Sequence, residues 1–133
     1  MKIENIKFKA KKTLDGKWIK GDLVHHKDSD NVWITDYENQ LTSPVNTSTV
    51  CQFTGLTDCK GNEVWEGDII KSPYTSEENT IEWNDHLCCF NTVDKIQGSR
   101  FYLDKVIKEL GWHVIGNKFD KKEIMYEYRN FIS

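Results

Sequence analysis

The sequence has little of what builds helices: in 133 residues there are 1 Ala and 7 Leu, against 12 Ile, 8 Val and 10 Thr. β-branched side chains lose rotamer freedom in a helix and pack well on a pleated surface. The bias excludes a helical bundle and predicts a mainly β fold with a minor helical part. Aromatics make up 12% of the chain, too rich a content for a disordered segment. No run approaches the ~20 apolar residues that span a bilayer. The opening MKIENIKFKAKK lacks the apolar stretch of a secretory signal. A soluble, cytoplasmic protein without membrane contact is expected, with Cys51, Cys59, Cys88 and Cys89 as free thiols.

The patterns of familiar chemistry are also missing. There is no Gly-x-Gly-x-x-Gly and no phosphate-cradling Gly-Lys-Ser/Thr, so no nucleotide cofactor is expected. There is no Gly-x-Ser-x-Gly, the turn that exposes a serine nucleophile. Structural zinc sites use spaced ligand pairs such as Cys-x2-Cys. Here Cys88 and Cys89 are adjacent, with His86 just before them. Neighbours on a strand point to opposite faces, so the pair predicts one core thiol and one partly exposed thiol, not a metal centre. Glu63, Glu66 and Asp68 cluster near a turn. Paired carboxylates there suit a hydrolase, one alternative reading. More commonly such groups solvate a turn or satisfy backbone donors. The expectation is a protein without catalytic residues, cofactor or metal.

Charge is unevenly spread. Residues 1–27 hold 8 Lys and 3 acids, whereas residues 28–100 hold 13 acids and 4 bases. The basic arm suggests contact with phosphate or with an acidic patch on another copy. Lys7, Lys9, Lys11 and Lys12 are the candidate nucleic-acid contacts in that alternative. Trp18, Trp33, Trp65, Trp83 and Trp112 all fall in predicted strands, where core packing or a protein interface is the expected role.

Residues 5–10 alternate, with Ile6, Phe8 and Ala10 on one face and Lys7 and Lys9 on the other, as in a half-buried strand. Asp15-Gly16 predicts a two-residue hairpin turn with both residues at positive φ, and residues 17–24 return. Residues 32–37 read as a strand. Residues 38–49 read as an irregular connection in which Pro44 forbids a central ladder position. Strands at 50–53 and 62–65 flank a turn at Asp58–Gly61, and Gly67-Asp68 bends the chain before 69–71. Strands at 79–83 and 87–90 flank a three-residue loop, Asn84-Asp85-His86. Leu103, Val106, Ile107 and Leu110 share one helix face, with Gly111 as C-terminal cap. Residues 112–117 form a strand. Asp120–Glu123 resembles a capping box for a last helix carrying Ile124, Tyr128 and Phe131. No internal repeat is visible.

VCQFTGLTDCKGNEVWEGDIIK, residues 50–71, and WHVIGN, residues 112–117, resemble the two conserved texts of the YopX family of phage and prophage proteins. Val50, Gln52–Leu56, Asp58, Gly61, Val64–Ile70 and Val114–Asn117 carry the likeness, and IKFKA is similar to the family's opening strand. The chain departs from it in Cys51, where Gly is frequent, and in Lys118-Phe119 after the second text. The resemblance implies an N-terminal β-hairpin extension over 1–50 and a small SH3-like barrel over 51–133, with one or two short helices after residue 100. It implies no assigned activity. The functional expectation is a phage-encoded accessory protein of the host bacterial cytoplasm. It would act without catalysis, as a homo-oligomer or on a host or phage protein. Trp65, Glu66, Gly67 and Asp68 are its candidate interaction surface.

Overall fold

A computed structural model describes residues 2–93 and 100–120. The chain divides into two compact units, Met1–Gly55 and Leu56–Ser133. The division falls inside a strand, a few residues beyond the boundary expected at residue 50.

The N-terminal unit holds β1 (Phe8–Lys11), β2 (Trp18–His25), β3 (Val32–Asp36), β4 (Thr42–Val45) and the start of β5 (Cys51–Thr57), antiparallel in the order β4-β3-β2-β1-β5, the first five strands of a six-stranded sheet. Alternation puts Ala10, Ile19, Val32, Ile34 and Val45 into its core, with Phe8, Leu23 and Val50 packed against them. Burying each of the larger side chains stabilises the unit by about 1.5–3 kcal/mol. Ile6 does not join that face. A 3-10 turn at Ile3–Asn5 precedes it, and it stays exposed. The stretch 38–49 is more regular than expected. It holds β4, where Pro44 sits on the strand that ends the sheet order, and a 3-10 turn at Thr47–Thr49 capped by Asn46. Gly21 pairs with Phe8 on one side and Asp36 on the other. A Cβ there would lie 1.7 Å from the Thr35 carbonyl oxygen, so only glycine fits.

The end of β4 then returns to β1. Lys12 bridges Val45, Thr13 N donates to Pro44 O at 3.1 Å, and Asn46 N donates to Lys11 O at 2.8 Å. Thr49 completes the seam. Its buried hydroxyl accepts from Lys11 N at 2.9 Å and donates to Asn46 O at 2.7 Å. The segment expected to be an extension of hairpins is thus closed on itself by main-chain bonds.

β5 carries the chain into the second unit, where a turn leads to β6 (Glu63–Trp65). There follow β7 (Asp68–Lys71), β8 (Glu78–Asn84), β9 (Cys89–Val93), β10 (Arg100–Tyr102), α1 (Leu103–Lys108) and β11 (His113–Asn117). Strands β7 to β11 pair antiparallel in the order β10-β9-β8-β7-β11. The mainly β expectation holds. Among the described residues, this five-strand order is as far as the expected SH3-like barrel is seen. Leu103, Val106, Ile107 and Trp112 pack on Val64, Ile70 and Ile81, while Leu110, past the end of α1, is exposed. Gly111 takes φ +71° where the helix stops, as its cap position predicts. Residues 118–120 begin a second helical stretch. The capping box and the stripe of Ile124, Tyr128 and Phe131 lie outside the described residues.

Strands β1–β5 and β7–β11 therefore follow one order, with a helical turn inserted before the fifth, and the first sheet adds a sixth strand, β6. That repeat of topology is absent from the residues themselves. The units also share a hairpin loop. Counted between the residues that close them, Lys12 and Lys17, Asp36 and Leu41, and Asn84 and Cys89, the β1–β2, β3–β4 and β8–β9 loops each have four residues, and the fourth is left-handed: Gly16 (φ +72°), Gln40 (φ +56°) and Cys88 (φ +52°). The two-residue Asp15-Gly16 turn and the three-residue 84–86 loop are both replaced by this form. Gly16 alone takes positive φ in its turn. Cys88 is a loop residue and not a strand neighbour of Cys89, so neither thiol of the pair enters the core.

Candidate functional site

The two family-like texts meet in the C-terminal unit. Asp58 begins the turn to β6, and its Oδ1 accepts the backbone N–H of Lys60 and of Asn62, each at 2.9 Å. Its Oδ2 accepts Val114 N at 2.9 Å, from a residue 56 positions later. Burial pushes the Asp58 carboxyl up. The N–H donors of Val114, Asn62 and Lys60 outweigh it and hold the group below the ordinary carboxylate value.

Asp68 does the same at the next corner. Its Oδ2 accepts Trp65 N at 2.8 Å, and its Oδ1 accepts the Asn117 side-chain amide at 3.0 Å. Asn117 in turn accepts Phe119 N at 3.1 Å, capping the helical stretch that starts at residue 118. Between them, Gly67 sits at φ +84°, donates to Ile81 O at 2.7 Å and accepts from Lys118 N at 2.9 Å. Asp58, Gly67, Asp68 and Asn117 thus pin β11 beside β7. The strand needs pinning, because its register with β7 slips at Ile115, the extra residue of a bulge between Val114 and Gly116.

This geometry defines what the expected surface offers. Trp65 and Asp68 are each 2% exposed and Gly67 is buried, leaving Glu66 as the half-buried member that reaches solvent. Both oxygens of Asp68 are occupied by structural donors, which leaves them committed to holding the corner. Asp58 and Asn117 are the site members that residue-by-residue reading passes over. The Asp-x-x-Gly spacing of a side-chain-capped turn is the one signal pointing to the first.

The basic arm is brought together differently. Lys9 and Lys11 share one face of β1, and Lys7 directly precedes the strand. Lys7 Nζ lies 4.7 Å from the Phe53 ring centre, and Lys9 and Lys11 lie 4.7 and 5.3 Å from that of Trp18. Lys11 is buried, 6% exposed. Lys12 leaves this row and pairs with Asp15 at 3.4 Å. Among the described residues, no three His, Cys, Asp or Glu gather as a metal-binding group. Cys51 is buried and contacts Thr49 O, while Cys59 and Cys88 are exposed. No helix among the described residues is long and apolar enough to cross a membrane.

Among curated proteins none matches the chain. The model of the YopX protein family matches residues 7–126, spanning both texts and both units. The chain belongs to the YopX protein family.

Proposed function

We propose that this protein is a non-enzymatic protein–protein interaction module that also self-assembles. One observation carries the reading: tight hairpin loops hold large apolar side chains out in solvent. Leu14 is 91% exposed on the β1–β2 loop, although hydrogen bonds to Lys12 O and from Lys17 N fix that loop. Leu87 is likewise exposed on the β8–β9 loop. An apolar anchor on a rigid loop loses little entropy on docking, which is the economy of interface hot spots. The reading includes a phage-encoded accessory role in the host bacterial cytoplasm. Light scattering tests it. The mass of the wild type rises with concentration, and the double variant Leu14→Ser, Leu87→Ser stays monomeric. A wild type that is monomeric at every concentration overturns self-assembly.

A second reading, nucleic-acid binding, is favoured by Lys7 and Lys9, which lie beside Phe53 and Trp18, since base stacking and phosphate contact use those residue types. It predicts a gel shift at low salt that fades as salt rises, and no shift at any salt overturns it.

A further inference from the structure

The seam that main-chain bonds close in the N-terminal unit has a counterpart in the C-terminal unit. The connection after the first strand is residues 12–17 in one and 72–77 in the other. The helical element before the fifth strand is Thr47–Thr49 in one and α1 in the other. In the C-terminal unit these two elements border a cavity of about 300 Å³. Ser72, Tyr74, Thr75 and Glu77 come from the connection, Val106 from α1, and Leu110 and Trp112 from the chain after it. Asn79 of β8 and Thr92 of β9 complete the lining.

Thr92 is the informative residue. It is 1% exposed, and its Oγ1 has no hydrogen-bond partner. A buried hydroxyl left unpaired is costly, and such groups call for a physical reason. Ser72, also buried, accepts Tyr74 N on its Oγ, and Thr92 Oγ1 has no bond to it. The apolar lining residues are Val106 and Trp112, both buried, and Leu110, which is exposed. Among the described residues, Glu77 is the charged group that lines the space, and no Lys or Arg does.

We propose that this cavity binds a small, neutral, mostly apolar molecule of about two fused rings, with one hydrogen-bonding group that meets Thr92 Oγ1. The size follows from volume, since a buried apolar cavity of roughly 150 Å³ accepts benzene, and pockets for small molecules begin near 300 Å³. Neutrality follows from Glu77, which disfavours an anion, and from the apolar side chains of Val106, Leu110 and Trp112 among the described lining residues. The hydrogen-bonding group follows from Thr92. The site is independent of the loop-tip reading above, because neither Leu14 nor Leu87 lines it.

The test uses the full chain and 2-naphthol, with naphthalene and 2-naphthoate for comparison, titrated by calorimetry. The expected result is one saturable site for 2-naphthol with Kd of about 0.1 mM, and binding of the anionic naphthoate at least tenfold weaker. Thr92→Val keeps the shape and removes the hydroxyl. It is expected to weaken 2-naphthol about five- to tenfold and to leave naphthalene unchanged. Leu110→Trp, at an exposed rim position where folding is not at stake, abolishes binding of both neutral probes. No saturable binding to the folded wild type overturns the proposal, as does unaltered binding in Leu110→Trp. Equal loss of both neutral probes in Thr92→Val overturns the role of the hydroxyl.

Discussion

Two buried threonines show how the halves of this chain differ. Thr49 spends its hydroxyl twice, on Lys11 N and Asn46 O, where the N-terminal unit closes. Thr92 has no partner for its own and lines a cavity in the C-terminal unit. The strand order is the same in each, so order alone does not decide whether a seam is shut. What decides it is the end of the fourth strand. β4 runs into Lys11–Thr13 and pairs with it, whereas the C-terminal unit packs α1 over its sheet and ties its last strand with the side chains of Asp58, Asp68 and Asn117. One unit relies on backbone bonds between neighbours and the other on carboxylates reaching across more than forty residues.

That contrast can be broken from either side. The largest effect is expected from Gly21→Ala, because the new Cβ overlaps the Thr35 carbonyl. A clash of this kind costs upwards of about 3 kcal/mol. Hydrogen exchange will show lost protection in β1–β4. If β7–β9 lose protection equally, the units unfold as one body and the energetic contrast fails. Next comes Asp58→Asn, which keeps one acceptor oxygen but cannot serve both Lys60 and Asn62 on one side and Val114 on the other. Leaving one of those N–H groups unpaired costs about 1–3 kcal/mol in urea unfolding at neutral pH, with the lost protection centred on β11.

The same residue sets an acid dependence. The folded Asp58 carboxyl titrates below its unfolded value, so in the acid range the unfolded chain binds more protons and stability falls as pH falls. Its contribution is complete above the ordinary carboxyl range, near about 3.9, and is lost as pH drops through the lowered folded value. The wild type is expected to lose stability over that window more steeply than Asp58→Asn. Parallel pH profiles for the two proteins would remove Asp58 as the cause.

The smallest effects come from the feature the units share. Gln40→Gly and Cys88→Gly relieve a left-handed backbone, and Gly16→Ala imposes a side chain on one. Each shift is about 1 kcal/mol, stabilising for the first two and destabilising for the third. Thermal unfolding of the three single variants measures it. A common sign would show that the loops are not equivalent.

Particular residues show what was legible beforehand. Gly61, Gly67 and Gly111 mark left-handed turns, because glycine is the residue such a backbone favours. Gln40 and Cys88 take the same conformation under the demand of loop length and carry no such mark. Asp15-Gly16 is misleading because a left-handed glycine serves a four-residue loop as well as a two-residue turn. The repeated strand order leaves no trace in residue identity: pairing is made by main-chain groups, and the cores use different side chains, Ala10 and Ile19 in one and Ile70 and Ile81 in the other. The candidate site was half legible. The text around Asp58 and Asp68 stands out, but their long-range partners, Val114 and Asn117, come from β11, and that adjacency exists only once the sheet has formed.

The tie between Asp58, Asp68 and β11 also imposes a schedule on synthesis. The N-terminal unit has β1 to β5 once β5 has emerged, with only β6 of its sheet to follow, and domains made first generally fold first. The C-terminal unit exposes Asp58 and Asp68 early but receives Val114 and Asn117 only about fifty residues later. During that interval both carboxylates face water and β7 lacks its outer neighbour. The nascent chain therefore passes through a stage with one finished unit and one waiting sheet edge, which is the stage most open to pairing with another copy.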